Sequence, residues 1–293
     1  MTTTEANSPR YAGLDGWDDA TLVAALTEAQ FAAIAAVHAA GPALARAVGA
    51  AAARLADPAG RLIYAGAGTS GRIAAQDAAE LLPTFAWPPA RALALIAGGP
   101  GALHTPVEGA EDDAAAGAAA LAALAPGPAD VVIGLAASGR TPWTLAVVRA
   151  ARAAGALALG LAGNADSPLG QAAEIAISLQ AGPEAVAGST RMKAGTAQKV
   201  ALNTFSTALM VRLGYVYRGR MVEMAPTNAK LRARAEAMVA DLAAVDAATA
   251  RAALAATGGS IKIAVVMLAR GLDADAARAH LAASGGTLRA ALD

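Results

Sequence analysis

A glycine-rich stretch with two hydroxyl side chains is the part of this sequence best suited to bind a ligand. It reads Gly66-Ala-Gly-Thr-Ser-Gly-Arg72 and carries the hydroxyls of Thr69 and Ser70. The apolar run before it predicts a buried strand, and a helix is predicted from Arg72 onward. Glycines let the backbone turn sharply and approach a ligand, and the free amides and dipole at a helix N-terminus attract anions. The stretch therefore predicts a phosphate-binding loop.

The spacing of the three glycines also occurs in dinucleotide-binding proteins, so the residues that follow have to decide between the two ligands. A dinucleotide site needs an acidic residue roughly 20 positions further on, to bind the ribose hydroxyls. The next predicted strand instead ends in Gly98-Gly99-Pro100, with no carboxylate. Together with the two hydroxyls of the loop, this favours a sugar phosphate over a dinucleotide.

Carboxylates are the residues best placed for acid–base chemistry. Glu80 lies on the helix predicted after the loop, and Glu108 and Glu111 follow the second predicted strand, where ligands bind in open parallel sheets. A solvated acidic loop would have the same spacing. The three histidines have no metal-ligand spacing and no Gly-x-Ser-x-Gly motif is present, so neither a metal centre nor an acyl-transfer triad is predicted.

Strands and helices alternate along the chain in the pattern of a parallel sheet. Apolar runs predict strands at 62–65, 92–97, 131–135, 157–161 and 175–179, and the alternation predicts an α/β fold with a three-layer parallel sheet. Pro42 is expected to separate two helices within 20–56, and Pro83 to end the helix after the first loop. After the third strand a similar loop, with Thr141 as a helix cap before Pro142, repeats the first strand–loop–helix unit.

A third loop, at 182–193, opens a long helix predicted over 194–213. Arg191 and Lys193 lie at its start, where the helix dipole disfavours positive charge. Either an anionic ligand or an ion pair with a carboxylate would account for them.

Composition narrows the class of protein. Lys plus Arg equals Asp plus Glu at 23 each, so net charge does not point to nucleic acid or to an anionic membrane. The chain has no cysteine, which excludes a disulfide framework and thiolate metal sites and favours a cytoplasmic location. The N-terminus lacks the apolar core of a signal peptide, and the apolar segments are interrupted, so no membrane span is expected.

Five motifs in order along the chain resemble the family of N-acetylmuramic acid 6-phosphate etherases. They are Gly66-Ala-Gly-Thr-Ser-Gly-Arg72, Val107-Glu-Gly-Ala-Glu-Asp112, Ala136-Ala-Ser-Gly-Arg-Thr-Pro142, Gly188-Ser-Thr-Arg-Met-Lys-Ala-Gly-Thr-Ala-Gln-Lys199 and Thr227-Asn-Ala-Lys-Leu231. The resemblance implies a flavodoxin-like sugar isomerase (SIS) domain at 52–225. N-terminal helices within 1–51 would precede it, and a three-helix module similar to ubiquitin-associated domains would follow at 226–293. A homodimer with substrate sites near the subunit interface is also implied.

The resemblance also assigns roles to residues. Glu80 matches the family's proton donor and Glu111 its second active-site glutamate. Phosphate-loop residues are Thr69, Ser70 and Gly71 in the first loop and Ser138, Gly139 and Thr141 in the second, and Ser189 and Lys193 match positions near the sugar.

The implied reaction cleaves a lactyl ether without a metal or redox cofactor. One carboxylate would take the C2 proton of the open-chain sugar and the other would protonate the departing lactate, after which water adds at C3. Two other classes use the same phosphate loops: an aldose–ketose isomerase, and a sugar-phosphate sensor without catalysis.

Overall fold

A five-stranded parallel sheet organises the N-terminal two thirds of the chain. The computed structural model describes residues 3–224, 226 and 228–293. The strands are β1 (Leu62–Gly66), β2 (Ala92–Ile96), β3 (Val131–Ala136), β4 (Leu157–Ala162) and β5 (Ile175–Ser178), in the spatial order β2-β1-β3-β4-β5. Every residue of β1, β3 and β4 is buried, as expected for parallel strands covered on both faces. The predicted α/β fold with a parallel sheet is confirmed.

Helices precede the sheet and connect its strands. The bounds are α1 (Asp19–Ala29), α2 (Phe31–Ala39), α3 (Gly41–Leu55), α4 (Gly68–Phe85), α5 (Ala114–Ala122), α6 (Pro142–Ala153), α7 (Pro168–Ala172) and α8 (Lys193–Arg212). Between residues 19 and 55 the structure has three helices where we predicted two, because the apolar run also breaks at Gln30. Pro83 lies inside α4, so the prediction that it ends that helix is wrong.

A short hairpin and five helices make up the C-terminal part of the described chain. The elements are β6 (Val216–Tyr217), β7 (Arg220–Met221), α9 (Ala229–Ala243), α10 (Ala247–Ala256), α11 (Ile261–Arg270), α12 (Ala274–Ala283) and α13 (Leu288–Leu292). The resemblance implied three helices here. The larger number arises because Ala244 and Gly271 adopt left-handed backbone conformations that end α9 and α11. Of the fifth motif, Asn228 caps α9, and Thr227 lies outside the described residues.

Tertiary contacts divide the chain into two compact units. The first consists of Met1–Ala79 and Pro89–Thr207, and the second of Glu80–Pro88 and Ala208–Asp293. This division passes through α4 and α8. The domain borders after residues 51 and 225 were drawn from motifs and composition, and they stay a prediction.

One N-terminal stretch departs from the expectation that no segment could cross a membrane. Among the described residues, Asp19–Ala39 is long and apolar enough by length and composition, although it consists of two helices that meet at Gln30. Helices α10 and α11 would pass the same test only as one span, and they are bent by 115°. By length and composition, Asp19–Ala39 is therefore a candidate span.

Candidate active site

The first glycine loop connects β1 to α4 at the carboxyl edge of the sheet. Helix α4 begins at Gly68, four residues before the predicted start at Arg72, so Thr69 and Ser70 lie in its first turn. Ser70 is 7% exposed, and its hydroxyl donates to Gln198 Oε1 on α8 over 2.9 Å. The first turn of α4 thus offers free amides and hydroxyls together, the arrangement that binds phosphate.

The second glycine loop connects β3 to α6 beside the first. Gly139 has a φ of 70°, and a Cβ there would lie 2.3 Å from Ser167 Cβ, so both backbone conformation and space require glycine. The amide of Arg140 donates to Ser138 Oγ over 3.2 Å. Thr141 is the N-cap of α6, but its side chain makes no capping hydrogen bond. The hydroxyl protons of Ser138 and Thr141 therefore remain available to a ligand.

Glu111 is positioned by a main-chain contact with the start of α6. Its carbonyl oxygen accepts a hydrogen bond from the amide of Trp143 over 3.0 Å. Close packing of α5 against α6 supports this contact, because a Cβ at Gly117 would lie only 2.4 Å from Trp143 O. The acidic loop before α5 is thereby held next to the second glycine loop.

The two glycine loops and the acidic loop surround a polar cavity of about 400 Å³. Strands β1 and β3 are adjacent in the sheet, and the cavity lies beyond their carboxyl ends, where ligands bind in open α/β sheets. The lining residues are Glu5, Ala67, Gly68, Thr69, Ser70, Glu111, Asp112, Leu135, Ala136, Ala137, Ser138, Arg140, Thr141, Pro142 and Thr190. One cavity thus combines four predicted hydroxyl residues with one predicted carboxylate and an arginine. Such a set can bind a phosphate monoester and exchange a proton with it or its sugar.

Two family descriptions match this part of the chain. The glucokinase regulatory protein N-terminal SIS domain matches residues 43–152, and the SIS domain matches residues 112–208.

Curated relatives match over nearly the whole length. The N-acetylmuramic acid 6-phosphate etherase of Deinococcus radiodurans is 52% identical over 92% of this chain and 88% of its own. The proteins of the same name from Cutibacterium acnes and Serratia proteamaculans are 45% and 46% identical, over 93% and 98% of this chain and 89% and 97% of theirs. This chain belongs to the N-acetylmuramic acid 6-phosphate etherase family. Its SIS-type fold follows from the sheet and from both family matches.

Within this etherase-family fold, several predicted site residues do not line the cavity. Gly71 packs against the sheet, since a Cβ there would lie 2.6 Å from Ile96 Cγ1, and Gly139 is buried beneath its loop. Ser189 is half-buried next to Thr190, which does line the cavity. Their assignments to substrate stay predictions.

Glu80 lies ten residues beyond Ser70 on α4, about 15 Å along the helix axis. It is exposed, begins the second unit's segment Glu80–Pro88, and is absent from the cavity lining. Its role as proton donor rests on the motif and stays a prediction.

Lys193 has a structural environment that differs from the expected one. Its ammonium group donates to the carbonyl oxygens of Ala181, over 3.1 Å, and Pro183, and only 6% of the residue is exposed. Burial lowers the pKa of Lys193, and the charge of Glu184 opposes that effect. Glu184 also accepts hydrogen bonds from the amides of Lys193 and Ala194. Backbone carbonyl groups thus take the place of the anionic ligand or carboxylate partner that we expected for Lys193.

Other residues of the site were not singled out from the sequence. Arg140, Asp112, Thr190 and Glu5 line the cavity, and Gln198 contacts Ser70 from behind. Thr190 and Gln198 lie in the fourth motif and Arg140 in the third, but the motifs do not say which side chains face inward. Glu5 lies in the polar segment 5–17, which the family resemblance implies reaches a neighbouring site, whereas here it lines the cavity of its own chain.

A larger cavity of about 510 Å³ lies in the second unit. Its lining includes Arg212, Arg218 and Arg289 but no carboxylate, so it lacks an acid–base group. Among the described residues, no group of three or more His, Asp or Glu side chains could hold a metal ion. The cavity beside the two glycine loops is therefore the candidate active site.

Proposed function

We propose that this protein cleaves the D-lactyl ether of N-acetylmuramic acid 6-phosphate and releases N-acetylglucosamine 6-phosphate and D-lactate. The observation that carries the proposal is the cavity that combines Glu111 with Thr69, Ser70, Ser138 and Thr141, in a chain 52% identical to a curated etherase. This reaction would belong to the recycling of cell-wall sugars.

The 6-phosphate would bind to the first turns of α4 and α6. Both helices have at least 12 residues, so each contributes free amides and a dipole that favour an anion. The hydroxyls of Ser70, Ser138 and Thr141 would add charge-assisted hydrogen bonds, and Arg140 would add a positive charge. A phosphate held in this way would leave the sugar ring directed toward Glu111, which lines the same cavity.

The ether would break by elimination rather than by direct hydrolysis. In the open-chain sugar the C1 aldehyde acidifies the C2 proton, and Glu111 as a carboxylate would remove it. The C2 electrons then form a C2–C3 double bond as the C3–O bond breaks, and Glu80 in its acid form would protonate the departing lactate oxygen. Water next adds at C3 and a proton returns to C2, so the glutamates finish in the protonation states in which they began.

A lactate assay with purified protein tests the proposal. We expect D-lactate and N-acetylglucosamine 6-phosphate in equal amounts from N-acetylmuramic acid 6-phosphate. Glu111→Gln should release almost none, whereas Glu174→Gln should match the wild type, because Glu174 precedes β5 at the opposite, amino edge of the sheet. Conversion of an aldose phosphate to a ketose phosphate without lactate would identify an isomerase, and binding without any turnover would identify a sensor.

We also propose that the protein is a cytoplasmic homodimer. The absence of cysteine suits a reducing compartment. Helices α1 and α2 expose three large apolar side chains, with Val23 at 63%, Phe31 at 71% and Ile34 at 49%, and a second copy would cover such a surface. Since Glu80 does not line the cavity that contains Glu111, we further propose that the second copy supplies Glu80.

Phe31→Glu tests the dimer, because a charge in an apolar interface destabilises association. Light scattering should give twice the chain mass for the wild type and the chain mass for the variant. Flotation of the wild type with lipid vesicles, lost in Phe31→Glu, would instead mean that these helices bind a membrane.

A further inference from the structure

Two buried polar side chains meet directly behind the first glycine loop. The hydroxyl of Ser70 donates to Oε1 of Gln198 over 2.9 Å. Ser70 is 7% exposed and Gln198 is 2% exposed, and the two residues are 128 positions apart in the sequence. A residue that lines the cavity is thereby tied to the interior of α8.

This hydrogen bond conflicts with phosphate binding by Ser70. A serine hydroxyl has one proton, and a phosphate oxygen without a proton can only accept. While Ser70 donates to Gln198, it has no proton to offer a phosphate. Ser138 differs, because its oxygen accepts from the Arg140 amide and its proton is free.

Gln198 carries the group that resolves the conflict. Its Nε2 is buried and has no hydrogen-bond partner among the described residues, which is rare for a buried donor. The oxygen and nitrogen of a carboxamide exchange places when its terminal torsion rotates by 180°. That rotation would bring the unpaired N–H group to Ser70 Oγ and leave Oε1 without a partner. A buried carbonyl oxygen without a partner is less rare than a buried N–H group without one.

We propose that Gln198 is a positioning residue that makes Ser70 a donor to the 6-phosphate, an inference that rests on the proposed phosphate site. When phosphate binds, Gln198 Nε2 donates to Ser70 Oγ and Ser70 donates its proton to a phosphate oxygen. No proton is transferred. The chain of hydrogen bonds from Gln198 through Ser70 to phosphate polarises each member toward the anion.

Three variants test this with the product N-acetylglucosamine 6-phosphate as the ligand, since the product is not turned over into lactate. An ionised glutamate at this position can only accept and adds a negative charge, so calorimetry of Gln198→Glu should give an affinity lower by about 100-fold or more. Gln198→Met keeps the length without hydrogen bonds and should lose about 10-fold. Gln171→Glu introduces the same charge at an exposed glutamine of α7 and should bind like the wild type.

Repeating Gln198→Met in the Ser70→Ala protein distinguishes a positioning role of Gln198 from a role in packing. In Ser70→Ala, Gln198→Met should cause no further loss of affinity, because Gln198 acts only through the Ser70 hydroxyl. Equal losses in both backgrounds, or a Gln198→Met protein with wild-type affinity, would overturn the inference. Either result would leave the etherase proposal standing, provided that the wild type binds the product and releases lactate. A wild type that does neither would overturn both.

Nuclear magnetic resonance tests the proposal on the wild-type protein, without a substitution in its core. The sequence has five glutamines, so side-chain amide signals of ¹⁵N-glutamine-labelled protein can be assigned one by one. N-Acetylglucosamine 6-phosphate should shift the Gln198 Nε2 protons downfield as they gain an acceptor, and unphosphorylated N-acetylglucosamine should not. An unchanged Gln198 signal at saturating phosphosugar would contradict the proposal.

Discussion

The two glycine loops at the carboxyl edge of the sheet have similar sequences but different support. In the first loop, Ser70 is buried and hydrogen-bonded to Gln198 of α8. In the second, Ser138 is half-buried and its oxygen accepts from the amide of Arg140, two residues along the same loop. The hydroxyl of Ser70 is thus held by a distant helix, whereas the hydroxyl of Ser138 contacts its own loop, whose backbone is held by Asn164 through the Ser138 carbonyl.

A buried carboxylate strengthens the support of the first loop. Asp77, two turns after Ser70 on α4, is 1% exposed and accepts hydrogen bonds from Tyr64 of β1 and from Asn203 and Ser206 of α8. Helix α4 is therefore fixed to β1 and α8 by polar groups that require defined geometry. The comparison teaches that side chains remote in sequence hold the first phosphate helix and its serine hydroxyl, whereas the serine hydroxyl of the second loop has only a local partner.

The two proposed catalytic glutamates differ in position, since Glu111 lines the cavity and Glu80 does not, and replacing either one should have the largest effect. Glu111→Gln should lower lactate release by about 100- to 10,000-fold and abolish exchange of the C2 proton with solvent, because the base is lost. Glu80→Gln should lower lactate release to a similar extent but keep the C2 exchange. Lactate release and deuterium incorporation at C2 measure the two steps. Loss of exchange in Glu80→Gln alone would reverse the assignment.

A mixed dimer tests whether the two glutamates come from different copies. A heterodimer of Glu80→Gln and Glu111→Gln chains, isolated with two affinity tags, would contain one site with both glutamates intact if Glu80 acts across the interface. By symmetry such a dimer should regain about half of the wild-type activity. No recovery would place both glutamates in the same chain.

Removing each loop serine sharpens the comparison directly. Ser70→Ala and Ser138→Ala should each weaken binding of N-acetylglucosamine 6-phosphate by about 10- to 100-fold, since each removes a hydrogen bond to a charged group. Only Ser70→Ala should also lower the free energy of unfolding, by about 1–3 kcal/mol, because it leaves buried Gln198 without its partner. Calorimetry and urea unfolding measure the two quantities. Equal losses of stability would mean that the two serine hydroxyls contribute equally to folding, against the difference in their partners.

The smallest expected effect is on the way in which the free energy of unfolding changes with pH. Burial raises the pKa of Asp77, against hydrogen bonds from Tyr64, Ser206 and Asn203 and the charge of Lys199. A carboxyl group whose pKa is higher in the folded state binds its proton more tightly there. Its contribution to stability is therefore fully present below the unfolded pKa of about 3.9 and is lost as the pH rises through the folded value.

Urea unfolding of the wild type and Asp77→Asn should accordingly show the wild type losing stability relative to the variant as the pH rises from about 4. Asp130→Asn is the matched control with the opposite sign. Burial raises the pKa of Asp130, but hydrogen bonds from Arg61 and Gly127 and the Arg61 charge bring it below its usual value. The contribution of Asp130 to the free energy of unfolding should therefore be lost as the pH falls. If the free energies of unfolding of the wild type and Asp77→Asn changed with pH in the same way, the result would contradict the assigned pKa shift of Asp77.

The sequence was sufficient for the elements whose signals are local. Five apolar runs bounded by turn residues predicted all five strands of the sheet within a residue or two, because buried parallel strands require such runs. Helix boundaries were harder, since an alanine-rich chain has little periodicity. The break at Gln30 was missed for this reason, whereas the start of α4 at Gly68 was missed because the glycines there predicted a loop.

Side-chain environments set by distant residues could not be predicted. Glu111 and the loop hydroxyls were found because their motifs place them after strands at one edge of the sheet. The contacts of Ser70 with Gln198 and of Lys193 with the loop carbonyls depend on tertiary packing, which no local spacing reveals.

Isotope labelling of the water tests the central claim most directly. If the ether breaks by elimination followed by addition of water, a reaction in ¹⁸O-labelled water should place the label at C3 of N-acetylglucosamine 6-phosphate and none in D-lactate. A label in lactate with none at C3 would mean direct attack of water on the lactyl carbon. That result would contradict the proposed roles of Glu111 and Glu80.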